Sequence, residues 1–339
     1  MTDEAMNLPR LQDHLTAQGI ELAGPLSAEL IAGGKSNLTY AVTDGRRRWA
    51  LRRPPVSGLT PSAHDMAREY RVVSALGGSI VPVPEALVLC EDTSVLGAPF
   101  AMTGFVDGTV IRNMDDLEPH SDAELARCTD RLVRVLADLH SVDHRAVGLE
   151  DFGRPEGFLT RQVGLWAKQW SRVKTHDLDD ATALHRELEA MIPTESAATI
   201  VHGDYRIDNT IVAADDIAEV RAVVDWELST LGDPLTDVAL MCVYRNPALE
   251  LVLGEPAAWT SPRLPAPEAL AEQYAQVSGR QLRHWGFYLG LANFKLAVIA
   301  AGIDHRYRSG ATVGDGFDTA KDAVPILLAA GLAAVRRHR

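Results

Sequence analysis

The chain changes its pattern near residue 115, and this change limits the folds that it can adopt. Before that point, short runs of β-favouring residues alternate with turn residues around one predicted helix at 62–76. After it, apolar residues recur at helical spacing, and a short β segment at 199–227 interrupts them. The helical segments are 121–140, 156–173, 178–191, 266–278, 283–303 and 318–337. We therefore predict a bilobal α+β fold, with a small N-lobe at 1–106 and a large, mainly helical C-lobe at 107–339.

The first runs of the N-lobe predict an antiparallel meander. They occupy 26–31, 38–42 and 48–52, and the Asp44-Gly45 pair between the last two is a strong hairpin signal. Two more strands are predicted at 83–89 and 100–106. The N-lobe should therefore contain a small antiparallel β-sheet.

Composition excludes several classes of protein. Of the 339 residues, 46% are hydrophobic and 23% are charged, which is typical of a globular enzyme. The net charge of −13 argues against nucleic acid or an anionic membrane as the main partner. The three cysteines have no CxxC spacing, so neither a disulfide framework nor a zinc site is expected, and a reducing compartment is indicated.

Two segments bear on membrane association. The stretch Met1 to Met6 is acidic and has no apolar core, so it is not predicted to be a signal peptide. The apolar stretch from Trp285 to Ile303 contains Asn293 and Lys295, which favours a buried helix over a membrane span. We expect a cytoplasmic protein, and the oligomeric state stays open.

The polar residues around the β segment at 199–227 form the strongest chemical signal. An apolar run ends in His202-Gly203-Asp204, Asn209 follows five residues after Asp204, and a second apolar run ends in Asp225-Trp226-Glu227. An aspartate that orients an attacking hydroxyl, followed after five residues by an asparagine, has the spacing of a kinase catalytic loop. Asn209 and Asp225 offer the hard oxygen ligands that Mg²⁺ prefers. We therefore predict Asp204 as the catalytic residue and Asn209 and Asp225 as metal ligands.

The chain resembles the aminoglycoside phosphotransferase and choline kinase-like family, which shares the protein-kinase fold. The resemblance rests on the segment from His202 to Asn209 and on Asp225-Trp226-Glu227, and it extends over nearly the whole chain. Within that family the chain is most similar to the kinase-like domain that animals carry fused to an acyl-CoA dehydrogenase. The resemblance implies that Asp237, in a following helix, braces the catalytic loop, and His202 is expected to orient the loop through hydrogen bonds.

The resemblance also implies a nucleotide site in the N-lobe. Arg52 on the third strand should meet phosphate and pair with Glu69 on the helix, although Arg53 is a competing candidate. Phe105 and Val106 end the strand whose backbone should contact the adenine, and a plain buried strand explains that segment equally well. The turn before the second strand is a candidate phosphate-covering loop, and an ordinary hairpin turn is the alternative. Its predicted nucleotide contacts are Gly33, Gly34, Ser36 and Asn37.

The acceptor site is the least constrained by the sequence. Glu227, Tyr244 and Arg306 are predicted substrate contacts. Trp166 and Trp170 are further candidates, but residues four apart on one helix face more often pack together.

Three functions are compatible with these residues. The leading hypothesis is ATP- or GTP-dependent, Mg²⁺-assisted transfer of the γ-phosphoryl group to a small-molecule hydroxyl. The resemblance implies a hydroxyacyl-CoA or hydroxy acid acceptor, with an aminoglycoside less favoured. A non-catalytic, nucleotide-binding regulatory protein is the alternative, although the chain retains all three of Asp204, Asn209 and Asp225. A metal-dependent phosphohydrolase would require more clustered ligands than the sequence shows.

Overall fold

The computed structural model describes residues 6–33, 37–54, 65–310 and 316–337. The chain divides into two compact units. Residues 1–108 and 221–229 form the small unit, and residues 109–220 and 230–339 form the large unit. The sequence-based division did not anticipate that 221–229 belongs with the small unit. Two hydrogen bonds hold this segment in the small unit. Val223 N–H donates to Pro82 O over 2.8 Å, and the Arg68 guanidinium donates to Ser229 O over 3.0 Å.

The small unit contains a five-stranded antiparallel sheet. Its strands are β1 (Ser27–Gly33), β2 (Leu38–Thr43), β3 (Arg48–Arg53), β4 (Ala86–Cys90) and β5 (Phe100–Gly104). The order β1-β2-β3-β5-β4 confirms the predicted meander for the first three strands. Strand β5 pairs with β3, and β4 lies at the edge and pairs with β5. Strand β5 ends at Gly104, so the predicted extension of this strand to Val106 is wrong.

Among the described residues of the small unit, three α-helices accompany the sheet: α1 (Leu8–Ala17), α2 (Met66–Leu76) and the short α3 (Thr93–Leu96). The sequence predicted α2 alone, with a start at Ser62, which lies outside the described residues. The described N-cap of α2 is Asp65, whose carboxylate accepts the Arg68 N–H. Helix α1 escaped prediction because it is short and has few apolar positions. Burial of Leu11 and Leu15 in the sheet core stabilises it.

The large unit is mainly helical, as predicted. Its helices are α4 (Asp122–Ser141), α5 (Phe158–Val173), α6 (Asp179–Ala190), α7 (Pro234–Val243), α8 (Ala248–Leu253), α9 (Pro267–Ser278), α10 (Trp285–Arg308) and α11 (Ala320–Arg337). Strands β6 (Thr199–Val201) and β7 (Thr210–Val212) flank the loop that contains Asp204. Strand β8 (Val220–Val223) begins the segment 221–229 of the small unit, and β9 (Thr230–Gly232) follows that segment in the large unit. Strand β6 pairs with β9, and all three of its residues are buried.

Helix α10 is the core helix of the large unit. Among the described residues it is the one helix long and apolar enough to cross a membrane, with a mean hydropathy of 1.5, but 83% of that window is buried inside the structure. Its face toward α11 depends on small residues. A Cβ at Gly290 would lie 2.5 Å from Val335 Cγ2 of α11. One at Gly331 of α11 would lie 3.1 Å from Asn293 Cβ of α10 and 2.7 Å from Leu184 Cδ2 of α6. Glycine at these two positions therefore permits the close packing of the two helices.

Candidate active site

The loop after β6 carries the predicted catalytic residue. Strand β6 ends at Val201, and Gly203 then adopts a positive φ of 84°, which favours glycine because it has no Cβ. A 3₁₀ turn at Ile207–Asn209 closes the loop before β7. This geometry brings Asn209 back to Asp204. The Asn209 amide donates to the Asp204 carbonyl oxygen over 2.8 Å and to Asp204 Oδ2 over 3.1 Å.

The second oxygen of the Asp204 carboxylate faces other donors. The Tyr244 hydroxyl donates to Asp204 Oδ1 over 2.5 Å, and Arg206 Nε lies 3.6 Å from the same oxygen. Burial by itself raises the pKa of Asp204, but the charges of Arg206 and Lys295 and the Tyr244 hydrogen bond lower it below its ordinary value. Asp204 is therefore an ionised, fixed carboxylate at neutral pH, suited to orienting a hydroxyl.

Asn209 has the chemistry of a metal ligand. Its amide nitrogen is committed to Asp204, while its side-chain oxygen accepts no hydrogen bond from any described residue. An oxygen left available in this way suits a hard cation such as Mg²⁺. No group of three or more His, Cys, Asp or Glu side chains arranged to hold a metal occurs in the described part of the chain. A cation at Asn209 would thus depend on phosphate and water for most of its ligands.

Asp237 on α7 holds the backbone that leads into Asp204. It accepts the His202 N–H over 2.6 Å and the Gly203 N–H over 2.8 Å. On its other side, His140 Nε2 lies 3.3 Å from Asp237 Oδ2, and His140 Nδ1 lies 2.7 Å from the Tyr274 hydroxyl. These contacts match the bracing role expected for Asp237. The His202 ring accepts the Asp204 N–H at Nδ1 over 3.2 Å, which matches the loop-orienting role expected for His202.

Arg206 links the remaining polar residues of the loop. Its Nη1 lies 2.6 Å from Asp208 Oδ2, and its guanidinium lies 5.5 Å from the centre of the Tyr244 ring. Burial is the largest cause that raises the pKa of Asp208, to about 6. Tyr244 is itself buried, and its hydroxyl is directed at Asp204. The structure thus places Tyr244 as a partner of the Asp204 carboxylate, and its contact with substrate stays a prediction.

Three further acceptor-site candidates, Arg306, Trp166 and Trp170, lie on helices of the large unit. Arg306 is exposed in the last turn of α10, and no described contact joins its side chain to the catalytic loop. Trp166 lies on α5, where its ring faces the Lys295 ammonium at 5.6 Å. Trp170 lines a cavity of about 240 Å³ together with residues from α10 and α11.

The small unit carries a second charged group, centred on Arg52 of β3. Arg52 Nε lies 3.2 Å from Glu69 Oε2 of α2, without the alignment of a hydrogen bond. Arg52 Nη2 donates to Asp225 Oδ1 and lies 3.7 Å from Glu227 Oε2. The amide of Asn37 is also 3.4 Å from Glu227 Oε2. The Arg52 guanidinium therefore contacts three carboxylates, those of Glu69, Asp225 and Glu227. Glu227, a predicted substrate contact, is thus part of this charged group.

The competing arginine has a different environment. Arg53 is fully buried, and its guanidinium donates to the Leu96 carbonyl oxygen over 3.0 Å. Consecutive strand residues point to opposite faces of a sheet, so only one of the two arginines can face the carboxylates. The geometry therefore favours Arg52 over Arg53 as the phosphate-binding candidate.

The segment that carries Asp225 has an unusual backbone. Asp225 adopts a φ of 66°, one of two positive values at non-glycine positions among the described residues. Such a conformation costs free energy, so the surrounding structure must hold it. Trp226 does so, because it is buried and its indole N–H donates to the Val223 carbonyl oxygen over 3.0 Å. Asp225 Oδ2 has no hydrogen-bond partner among the described residues, which leaves one hard oxygen for a cation.

The negative charge around Arg52 affects Glu69. Burial is the largest cause that raises the pKa of Glu69, to about 7, and the neighbouring Asp225 and Glu227 raise it further against the opposing effect of Arg52. The group therefore carries more negative charge than Arg52 balances. That imbalance fits a site that receives a divalent cation.

The remaining predicted nucleotide contacts are only partly described. Gly34 and Ser36 lie outside the described residues, and Gly33 ends β1, where it pairs with Leu38. Phe105 follows β5, and its ring packs under the Arg48 guanidinium at 4.4 Å. Val106 is half-buried in the next position. The roles of these residues stay predictions.

Lys295 is the charged residue that the sequence analysis noted but did not assign to the site. Its ammonium donates to the Gly203 carbonyl oxygen over 2.7 Å, directly beside Asp204. A usable signal was present in the sequence. A lone lysine in a 24-residue apolar helix is costly unless a specific partner compensates its charge.

The five-stranded sheet of the small unit and the helices of the large unit define a kinase-like fold. Residues 27–285 match the model of the phosphotransferase enzyme family, and the chain belongs to that family. Over 298 residues, or 86% of the chain, it is 35% identical to acyl-CoA dehydrogenase family member 10 of Mus musculus. Over 88% of the chain, it is 33% identical to member 11 of Homo sapiens. The chain spans only 28% and 39% of the lengths of these relatives.

Solved structures agree with this assignment. A Ralstonia eutropha protein, provisionally assigned as an aminoglycoside phosphotransferase, is 32% identical and superposes with a TM-score of 0.83, covering 97% of this chain and 98% of that one. Aminoglycoside phosphotransferase APH(4)-Ia, in a ternary complex with AMP-PNP and hygromycin B, has a TM-score of 0.60 at 17% identity over 96% of this chain and 98% of its own. The second similarity extends to the fold alone.

Proposed function

We propose that the chain catalyses Mg²⁺-assisted transfer of the γ-phosphoryl group of ATP or GTP to the hydroxyl of a small molecule. The observation that carries the proposal is the Asp204–Asn209 pair, in which one amide fixes the carboxylate and keeps its own oxygen available. The solved APH(4)-Ia complex contains a nucleotide analogue and an aminoglycoside, and aminoglycoside 2'-phosphotransferase-IIIa contains GDP. These complexes support a nucleoside triphosphate and a hydroxyl-bearing acceptor here.

Each residue has a defined task in this proposal. Asp204 accepts a hydrogen bond from the acceptor hydroxyl and orients its oxygen toward phosphorus. Arg52, held by Glu69, binds the nucleotide phosphates in a bidentate manner. Asn209 and Asp225 are the Mg²⁺ ligands, and the bound ion supplies neutralisation of phosphate charge. The acceptor proposed first is a hydroxyacyl-CoA or a hydroxy acid, because the curated relatives carry acyl-CoA dehydrogenase names.

A panel of acceptors tests the function. Purified protein receives ATP or GTP with Mg²⁺ and one of several hydroxyacyl-CoAs, hydroxy acids, aminoglycosides, sugars or choline-like amines, and nucleoside diphosphate release is measured. We expect release that depends on both the acceptor and Mg²⁺. Nucleotide binding without turnover on any acceptor would instead support the non-catalytic regulatory protein.

Arg52→Met should weaken nucleotide binding. Removal of a charge-assisted, bidentate phosphate contact is expected to raise the KM for the nucleotide by about tenfold to a hundredfold. The KM of Arg52→Lys should lie between those of the wild type and Arg52→Met, because lysine keeps the positive charge but lacks the two parallel N–H donors of the guanidinium. Steady-state kinetics at varied nucleotide concentration measure the effect. The matched control is Arg46→Met at an exposed turn position before β3, and an equal KM in both variants would contradict the role of Arg52.

A further inference from the structure

Lys295 has a setting that its helix alone does not explain. It is the one ionised residue in the first 19 positions of α10, and the helix around it is buried. Burial lowers the pKa of Lys295, while the carboxylates of Asp204 and Asp237 act in the opposite direction. A cation in such surroundings requires specific compensation. The Trp166 ring at 5.6 Å supplies a part of it through a cation–π contact.

The main partner of Lys295 is the peptide group that joins Gly203 to Asp204. Its ammonium donates to the oxygen of this peptide over 2.7 Å. The N–H of the same peptide, which belongs to Asp204, donates to His202 Nδ1 over 3.2 Å. Both polar atoms of one peptide plane are therefore held, one by α10 and the other by the loop itself.

This peptide is the point at which the loop can most easily deform. Gly203 has a positive φ of 84° and no Cβ, so rotation of the following peptide meets little steric resistance. Asp237 fixes the preceding peptides through the N–H groups of His202 and Gly203. The Gly203 carbonyl oxygen cannot bond to the Asp237 carboxylate, because both are acceptors, and Lys295 holds this oxygen instead.

We propose that Lys295 is a positioning residue that locks the Gly203–Asp204 peptide and thereby sets the direction of the Asp204 carboxylate. The charge of the ammonium strengthens the hydrogen bond, because charge-assisted bonds are stronger than neutral ones. The catalytic consequence rests on the phosphotransferase reaction proposed above. The structural consequence, a rigid peptide before Asp204, does not depend on any reaction.

Hydrogen–deuterium exchange tests the structural consequence directly. In Lys295→Met, which keeps a long unbranched side chain, the amide of Asp204 should exchange roughly tenfold faster, which corresponds to the loss of one hydrogen bond to a charged group. Exchange in α7 and in the rest of α10 should stay unchanged, which separates local release from general unfolding. Lys168→Met, at an exposed position on α5, is the matched control. If Lys295→Met does not fold, Lys295→Gln is measured in its place, and the same increase in amide exchange is expected.

Kinetics test the catalytic consequence with MgATP and whichever acceptor of the panel gives turnover. Lys295→Met should lower kcat by about a hundredfold with little change in the KM for ATP, because a misdirected carboxylate affects the reacting geometry and not nucleotide binding. Lys295→Arg should recover at least part of kcat. Unchanged amide exchange at Asp204 in a folded Lys295 variant would overturn the proposal. Absence of turnover in the wild type, with faster exchange in the variant, would contradict the proposed function alone.

Discussion

Asp204→Asn should lower kcat by about 10²- to 10⁴-fold while nucleotide affinity stays near that of the wild type. The substitution keeps the size of the side chain and an oxygen for the Tyr244 hydroxyl, but it removes the negative charge. With that oxygen facing Tyr244, the new amide nitrogen faces the Asn209 amide nitrogen, and the acceptor that Asp204 offers to Asn209 is lost. Single-turnover kinetics with a productive acceptor and equilibrium binding of ATP measure the two quantities separately.

The control for this substitution is Asp215→Asn. Asp215 is an exposed aspartate in the loop after β7, in the same unit as Asp204, and its replacement should leave kcat unchanged. Equal turnover by Asp204→Asn and the wild type would remove Asp204 from the reaction. A loss of nucleotide binding equal to the loss of kcat would indicate a general disturbance of the protein.

Asp237→Ala should produce the largest loss of stability among single substitutions in the catalytic loop and its supports. Asp237 is buried and accepts two backbone N–H groups at 2.6 and 2.8 Å, while His140 contacts it at 3.3 Å. Its removal leaves these buried donors without an acceptor, which costs about 3–5 kcal/mol by analogy with broken buried charge networks. Urea unfolding followed by tryptophan fluorescence measures the midpoint, with exposed Asp215→Ala as control. A midpoint equal to that of the control would contradict the bracing role.

The pH dependence of the free energy of unfolding should also depend on Asp237 and its partner His140. Burial by itself raises the pKa of Asp237, but its contacts with His140 and His202 lower it below the ordinary value. Burial lowers the pKa of His140. A carboxyl with a depressed pKa contributes stability above its unfolded pKa, and that contribution is lost as the pH falls. A histidine kept neutral by burial acts in the same direction, because its unfolded form takes up protons first as the pH falls. Asp237→Asn should therefore flatten the acid limb of the stability curve.

Local pattern was sufficient to predict most of the secondary structure. The pattern of apolar residues predicted α4 and α10. Helix α4 buries one apolar stripe, and α10 is apolar and buried over most of its surface. The Asp44-Gly45 signal predicted the β2–β3 hairpin, and the two strands pair antiparallel with Thr43 opposite Arg48. Pattern failed for α1, whose stability comes from burial of Leu11 and Leu15 against a sheet formed later in the chain. It also could not show that β5 separates β3 from β4, because strand order depends on packing between distant segments.

The candidate site divides in a similar manner. Residue type and spacing predicted roles for Asp204, Asn209 and Asp225, because a hydroxyl-orienting carboxylate and hard oxygen ligands have few chemical substitutes. The choice between Arg52 and Arg53 required the sheet, since neighbouring strand residues face opposite sides. The contact of Tyr244 with Asp204 joins residues 40 positions apart, and that of Lys295 with Gly203 joins residues 92 positions apart.

The sequence by itself determined the class of fold, and it predicted the loop that carries Asp204 and the type of chemistry proposed for this loop. Each of these depends on periodicity or on residues close together in the chain. The tertiary structure alone decided which groups hold Asp204 in place, namely Tyr244, Asp237 and Lys295, and which carboxylates surround Arg52. The physical reason is that a buried charge acquires its function from the partners that compensate it, and distant parts of the chain supply those partners.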